Sequence, residues 1–143
     1  MYLFVSPHDL SSAVFGLVER VEGGKGGKVR EVRKVETQPE RILQNLIGYL
    51  EDQGIGRKQL EGIVVVTGPG SSTALRAGLS VVNTIAFVQN LPLLALSNKE
   101  EKPLEELVAS ADLSKTERFA IPYYEKEPRI TKQKEKRLWM NCF

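Results

Sequence analysis

A chain of 143 residues with a formal net charge of +2 has the length of one domain with an ordinary core, and its near-neutral balance does not mark a nucleic-acid binder. One histidine and one cysteine exclude a His/Cys metal cluster and an internal disulfide. No apolar run is long enough to span a membrane and no basic-then-apolar leader opens the chain, so the expected location is the cytoplasm.

The first predicted element is a strand over Met1 to Ser6, carried by Tyr2, Leu3, Phe4 and Val5 and ended by Pro7. His8 and Asp9 come next as a polar break. Neighbours in a loop need not face one another, so a solvent-facing pair is favoured over an acid–base pair. Ala13 to Val18 predicts a second strand, with Gly16 as a weak point or bulge. The turn Gly23-Gly24-Lys25-Gly26-Gly27 makes a hairpin with a return arm over Val29 to Glu36. There, Val29, Val32 and Val35 recur every third residue, which is poor strand alternation.

Thr37-Gln38-Pro39-Glu40 signals a helix start, with Thr37 as N-cap and Glu40 as its capping-box partner. The helix runs to about Gln53, before Gly54. It carries Ile42 and Tyr49 on one edge of its apolar face and Leu43 and Ile47 on the other, so one edge can touch a sheet and the other a neighbour. Ile63 to Val66 is a β-branched run suited to a strand buried on both faces. Gly68-Pro69-Gly70 reverses the chain, and Ser71, Ser72 and Thr73 offer hydroxyls to a helix running from about Thr73 to Gln89. That helix shows two apolar stripes: Leu75, Leu79, Val82 and Ala86 for a sheet, and Ala74, Gly78, Val81 and Ile85 for a second partner, with small residues allowing another helix to come close. The turn lacks the lysine of a phosphate loop and the third glycine of a dinucleotide loop, so a capped structural turn is favoured over a phosphate site. Leu93 to Leu96 predicts a further strand, Asn98 to Pro103 a charged linker, Leu104 to Ala111 a short amphipathic helix, and Arg118 to Tyr124 an edge strand. Residues 125–143 alternate charges and close on the apolar run Leu138-Trp139-Met140.

The order βββαβαβ builds an α/β fold with a mixed sheet, three antiparallel strands joined to parallel ones through helices. Residues 1–98 are expected to form that lobe, 99–124 a linker, helix and edge strand, and 125–143 a basic tail.

The run Gly68-Pro69-Gly70-Ser71-Ser72-Thr73-Ala74-Leu75-Arg76-Ala77-Gly78-Leu79 resembles the G-P-G-S-[FY]-T-G-[LV]-R-[IV]-G signature of the TsaB (YeaZ) family, subunits of the machinery that places a threonylcarbamoyl group on tRNA adenosine 37. Gly68, Pro69, Gly70, Ser71, Thr73, Arg76 and Gly78 match; Ser72, Ala74 and Ala77 depart from the pattern. Leu60 to Val65 looks like the family's lead-in strand, Asn90 to Ser97 like the strand after the helix, and Pro122-Tyr123-Tyr124 like its Pro-x-Tyr element. The resemblance implies a single lobe of the actin, Hsp70 and sugar-kinase (ASKHA, ribonuclease H-like) type, with the second domain mostly missing. Many TsaB proteins have Asp-Thr at the end of the first strand, where this chain has Ser6-Pro7, so the carboxylate that would serve a Mg²⁺ ion is replaced.

The resemblance further implies a non-catalytic scaffold with no cofactor, metal or catalytic residues of its own. Its partner would be a TsaD-type subunit, with a TsaE-type ATPase beside it, or a second copy when alone; no membrane is involved. The two helices would form the contact through Ile42, Leu46, Tyr49, Ala74, Gly78, Val81 and Ile85. Lys132, Lys134, Lys136 and Arg137 are candidates for contact with tRNA phosphates or a partner, against the commoner outcome of a solvated tail. Two other readings stand beside the scaffold: an ATP-binding enzyme completed by dimerisation, and a tRNA-docking module.

Overall fold

The computed structural model describes residues 1–124. Its elements are β1 (Tyr2–Ser6), β2 (Ser12–Arg20), β3 (Gly27–Glu36), α1 (Ile42–Asp52), β4 (Gly62–Gly68), α2 (Ser72–Gln89), β5 (Leu93–Ser97) and α3 (Leu104–Ser110). The five strands form one sheet in the order β3-β2-β1-β4-β5, with β1–β2 and β2–β3 antiparallel and β1–β4 and β4–β5 parallel. The mixed α/β sheet is the expected one.

Period-two alternation divides the sheet into two cores. Leu3, Val5, Phe15, Ile63, Val65 and Leu93 point to the face covered by α1 and α2, where they meet Ile42, Leu46, Tyr49, Leu79, Val82 and Ala86. Tyr2, Phe4, Val18, Val64, Val66 and Leu94 point to the other face, closed by Leu107 and Val108 of α3 with Ala111 and Leu113. Among the described residues beyond Ser97, Leu107, Val108, Ala111, Leu113 and Ala120 therefore belong to the core. The helix α3 sits tight against the hairpin turn: a Cβ at Gly26 would fall 2.1 Å from the Ala109 carbonyl oxygen, and Leu113 N–H donates to Lys25 O.

Three local expectations are corrected. The bulge lies in β3, not at Gly16: Leu17 pairs with Glu31 but Val18 with Val29, leaving Arg30 as the extra residue. That insertion puts Val29 and Val32 on one face despite a spacing of three, whereas Val35, with no bulge before it, falls on the α1/α2 face. The capping box does not form. Thr37 Oγ1 donates to Gln38 O and accepts from Asn45 Nδ2 at 2.7 Å, while a 3₁₀ turn at Pro39–Arg41 leads into α1. Finally, Arg118 to Tyr124 is not a strand. Only Glu117 bridges β5, through its N–H to Leu93 O; beyond it Asn83 of α2 grips Ala120 with both amide atoms, at 2.8 and 2.9 Å, and draws the segment onto the helix.

Candidate partner interface

The contact set expected from sequence divides in two. Ile42, Leu46, Tyr49, Ala74 and Gly78 are buried by their own chain. Val81 and Ile85 are half-buried at the core's edge. Gly78 makes its close approach to Pro7, just past β1, and not to a foreign helix: a Cβ there would lie 2.2 Å from Pro7 Cβ and 3.3 Å from Ile42 Cδ1. The expectation that Gly78 opens a path for a partner helix is thus corrected.

Tyr49 is turned towards the sheet by three contacts. Its ring packs 5.7 Å from Phe15, the Arg33 guanidinium lies 5.3 Å from its centroid, and its hydroxyl donates to Glu31 Oε2. Burial, reinforced by the Glu31 carboxylate, pushes the Tyr49 hydroxyl above its ordinary pKa. With Tyr49 and Ile42 rolled onto the sheet, the opposite edge of α1 faces water, leaving Leu43 and Ile47 exposed. At 100° per residue Leu43, Ile47 and Leu50 share the side of α1 opposite Tyr49, towards α2; Ala77, Val81, Ile85 and Val88 share the side of α2 flanking Gly78, towards α1. The outward apolar surface is therefore a strip between the helices. Leu43, Ile47 and Val88 are not among the contacts expected from sequence, although the two-edged face of α1 was the signal that held Leu43 and Ile47.

The Gly68–Ser71 turn is built for close packing. Gly68 has φ of 142°, and a Cβ there would fall 2.5 Å from Tyr123 O, while one at Gly70 would fall 2.6 Å from His8 O. Ser71 N–H donates to His8 O, its Oγ accepts from Ala74 N–H as N-cap of α2, and Tyr123 N–H donates to Thr67 O. The motif glycines and Ser71 thus tie β4, the β1–β2 loop and residues 117–124 together. Thr73 and Arg76 lie on the exposed side of α2, with Arg76 Nε donating to Ser72 O. Lys132, Lys134, Lys136 and Arg137 lie outside the described residues.

At the carboxyl ends of β1, β4 and β5 an open cleft of about 300 Å³ is lined by Ser6, His8, Val66, Pro69, Asn98 and Glu101. His8 Nδ1 lies 3.2 Å from Ser6 Oγ, whereas the Asp9 carboxylate accepts from Ser11 N–H, Ser11 Oγ and Ser12 Oγ. The Ser11 N–H in particular holds the Asp9 carboxyl below its usual range. His8 and Asp9 therefore serve separate hydrogen bonds. Among the described residues no three His, Cys, Asp or Glu side chains converge as metal ligands, and no helix is long and apolar enough to cross a membrane.

A family model described as "TsaD: tRNA N6-adenosine threonylcarbamoyltransferase" matches residues 36–120, from the end of β3 through the segment gripped by Asn83. This chain belongs to the TsaB/TsaD-like family. It is 32% identical over 111 residues to the tRNA N6-adenosine threonylcarbamoyltransferase of Synechococcus sp. (strain JA-3-3Ab), covering 76% of this chain and 29% of that protein. To the TsaB of Haemophilus influenzae, a tRNA threonylcarbamoyladenosine biosynthesis protein, it is 34% identical over 62 residues, 43% of this chain and 26% of that one. It has the fold of YeaZ from Pseudomonas aeruginosa, with a TM-score of 0.54 at 21% identity over 67% of this chain and 42% of that chain. The TsaB/TsaD-like chain thus spans less than a third of the length of the curated relatives it matches.

Proposed function

We propose that this TsaB/TsaD-like chain is a non-catalytic scaffold subunit that binds and supports a TsaD-type enzyme in threonylcarbamoylation of tRNA adenosine 37. The observation that carries the reading is the apolar strip between α1 and α2, where Leu43 and Ile47 face water beside Val81 and Ile85. An exposed apolar patch on two adjacent helices favours association, because burying it against a partner removes it from water. In this reading the strip takes the TsaD-type subunit, or a second copy when the chain is alone, in the cytoplasm; a TsaE-type ATPase joins through the enzyme. Support for a role without catalysis comes from Ser6-Pro7 at the end of β1, which offers no carboxylate to a metal-bound nucleotide.

The cleft at the strand ends favours a second reading, a nucleotide-binding enzyme completed by dimerisation, since ligands in open α/β sheets bind at the carboxyl ends of the strands. A third, tRNA docking through Lys132, Lys134, Lys136 and Arg137, rests on charge alone. Mixing the chain with the TsaD-type enzyme of the same organism separates them. The scaffold reading expects co-elution and a rise in tRNA modification on addition of the chain. ATP turnover by the isolated chain would favour the second reading, and salt-sensitive tRNA binding by the isolated chain the third.

A further inference from the structure

The cleft at the strand ends is lined from both sides of β4. Ser6 and His8 come from the β1 side, Asn98 and Glu101 from the loop after β5, and Val66 and Pro69 at the end of β4 give an apolar floor between them. Glu101 supplies the one carboxylate among these six side chains, and neither lysine nor arginine is among them. The lysines beside it in sequence are engaged elsewhere: Lys99 Nζ lies 4.3 Å from the Tyr123 ring centroid, and Lys102 Nζ lies 3.1 Å from Glu100 Oε2. Glu101 itself pairs with no cation among the described residues. Its loop is firmly held, because Asn98 N–H donates to Gly68 O, Asn98 Nδ2 to Lys102 O and Lys102 N–H to Asn98 Oδ1, at 2.9, 3.1 and 2.9 Å. There Glu101 has φ of 50°, a left-handed conformation that suits glycine or asparagine better than glutamate.

We propose that this cleft binds a small alkylammonium ion, with the cation on Glu101 and its methylenes over Val66 and Pro69. A carboxylate in a cleft attracts a cation more strongly than one in open water, because the low-dielectric walls screen it less. An ammonium group also brings three donors. Beside Glu101 the cleft offers Ser6 Oγ and, with the ring proton on Nδ1 facing Ser6 O at 3.4 Å, His8 Nε2 as further acceptors. A phosphate would meet the Glu101 charge with no lysine or arginine to offset it, so the lining points away from a nucleotide in the same place. The inference stands apart from the proposed scaffold role.

His8 is the chain's one histidine, so its imidazole proton resonances report directly on the cleft. Added to the full chain at constant pH and ionic strength, n-butylamine should shift them along a saturating curve, whereas 1-butanol and pyrophosphate should not. Glu101→Gln keeps the shape of the side chain without its charge, and Glu101→Gly suits the left-handed backbone, so both variants should fold. In each, the amine should bind about ten-fold more weakly or not at all. The absence of a saturating shift with the amine would overturn the proposal, as would an unchanged curve in Glu101→Gln or equal binding of 1-butanol. A saturating shift with pyrophosphate in place of the amine would overturn it in favour of an anion site.

Discussion

Gly78 and Gly48 occupy the interiors of two neighbouring helices, yet their surroundings demand opposite responses to the same change. A glycine inside a helix ordinarily costs about 1 kcal/mol relative to alanine. At Gly48 a Cβ meets nothing within 4 Å, so Gly48→Ala should stabilise by about 0.5–1 kcal/mol. At Gly78 the Cβ runs into the rigid Pro7 ring, and overpacking of about 1–3 kcal/mol outweighs the propensity gain, so Gly78→Ala should destabilise. Urea midpoints of the two variants moving in the same direction would refute this account of Gly78. Tyr49 makes a second residue-scale prediction. Its raised folded pKa means that the native state holds the phenol proton after the unfolded chain, at about pH 10, has begun to lose it. Stability from this source is complete below about pH 10 and declines as pH rises above it. Tyr49→Phe should abolish this alkaline decline while costing about 1 kcal/mol at neutral pH through the lost hydrogen bond to Glu31, read from denaturation curves at several pH values. Neither environment was legible in the sequence, because spacing within a helix says nothing of Pro7 or Glu31, which come from other elements.

At the scale of elements, the grip of Asn83 on Ala120 decides where residues 117–124 lie. Asn83→Ala removes both hydrogen bonds, and at about 1 kcal/mol each the local cost is about 2 kcal/mol. Amide hydrogen exchange at Ala120 and Tyr123 should quicken, while the amides of β1 and β4 keep their protection; unchanged exchange at Ala120 would contradict the arrangement. The strands and both long helices were readable because β-branched runs, glycine turns and 3.6-residue periodicity report local geometry directly. The final segment was not, since its β-like composition in Phe119, Ile121, Tyr123 and Tyr124 yields to a single side-chain amide on α2. The bulge at Arg30 was hidden for a similar reason: that Val29 and Val32 share a face despite their spacing is visible only once the pairing of β3 with β2 is known. Two edges on α1 were visible in the sequence, but which one meets the sheet depends on Phe15, Glu31 and Arg33 drawing Tyr49 inward.

For the whole molecule, the sheet is covered on both faces, by α1 and α2 on one and α3 on the other, so its cores close without a second domain. Between α1 and α2 the lobe leaves an apolar strip in water. The measurement that bears most directly on the scaffold role is sedimentation of the full chain with the TsaD-type enzyme of its own organism, comparing the natural sequence with Leu43→Asp/Val81→Asp. The natural chain should sediment with the enzyme and the double variant should remain separate while still unfolding cooperatively. A double variant that binds as tightly as the natural chain, or a natural chain that never joins the enzyme, would contradict the account.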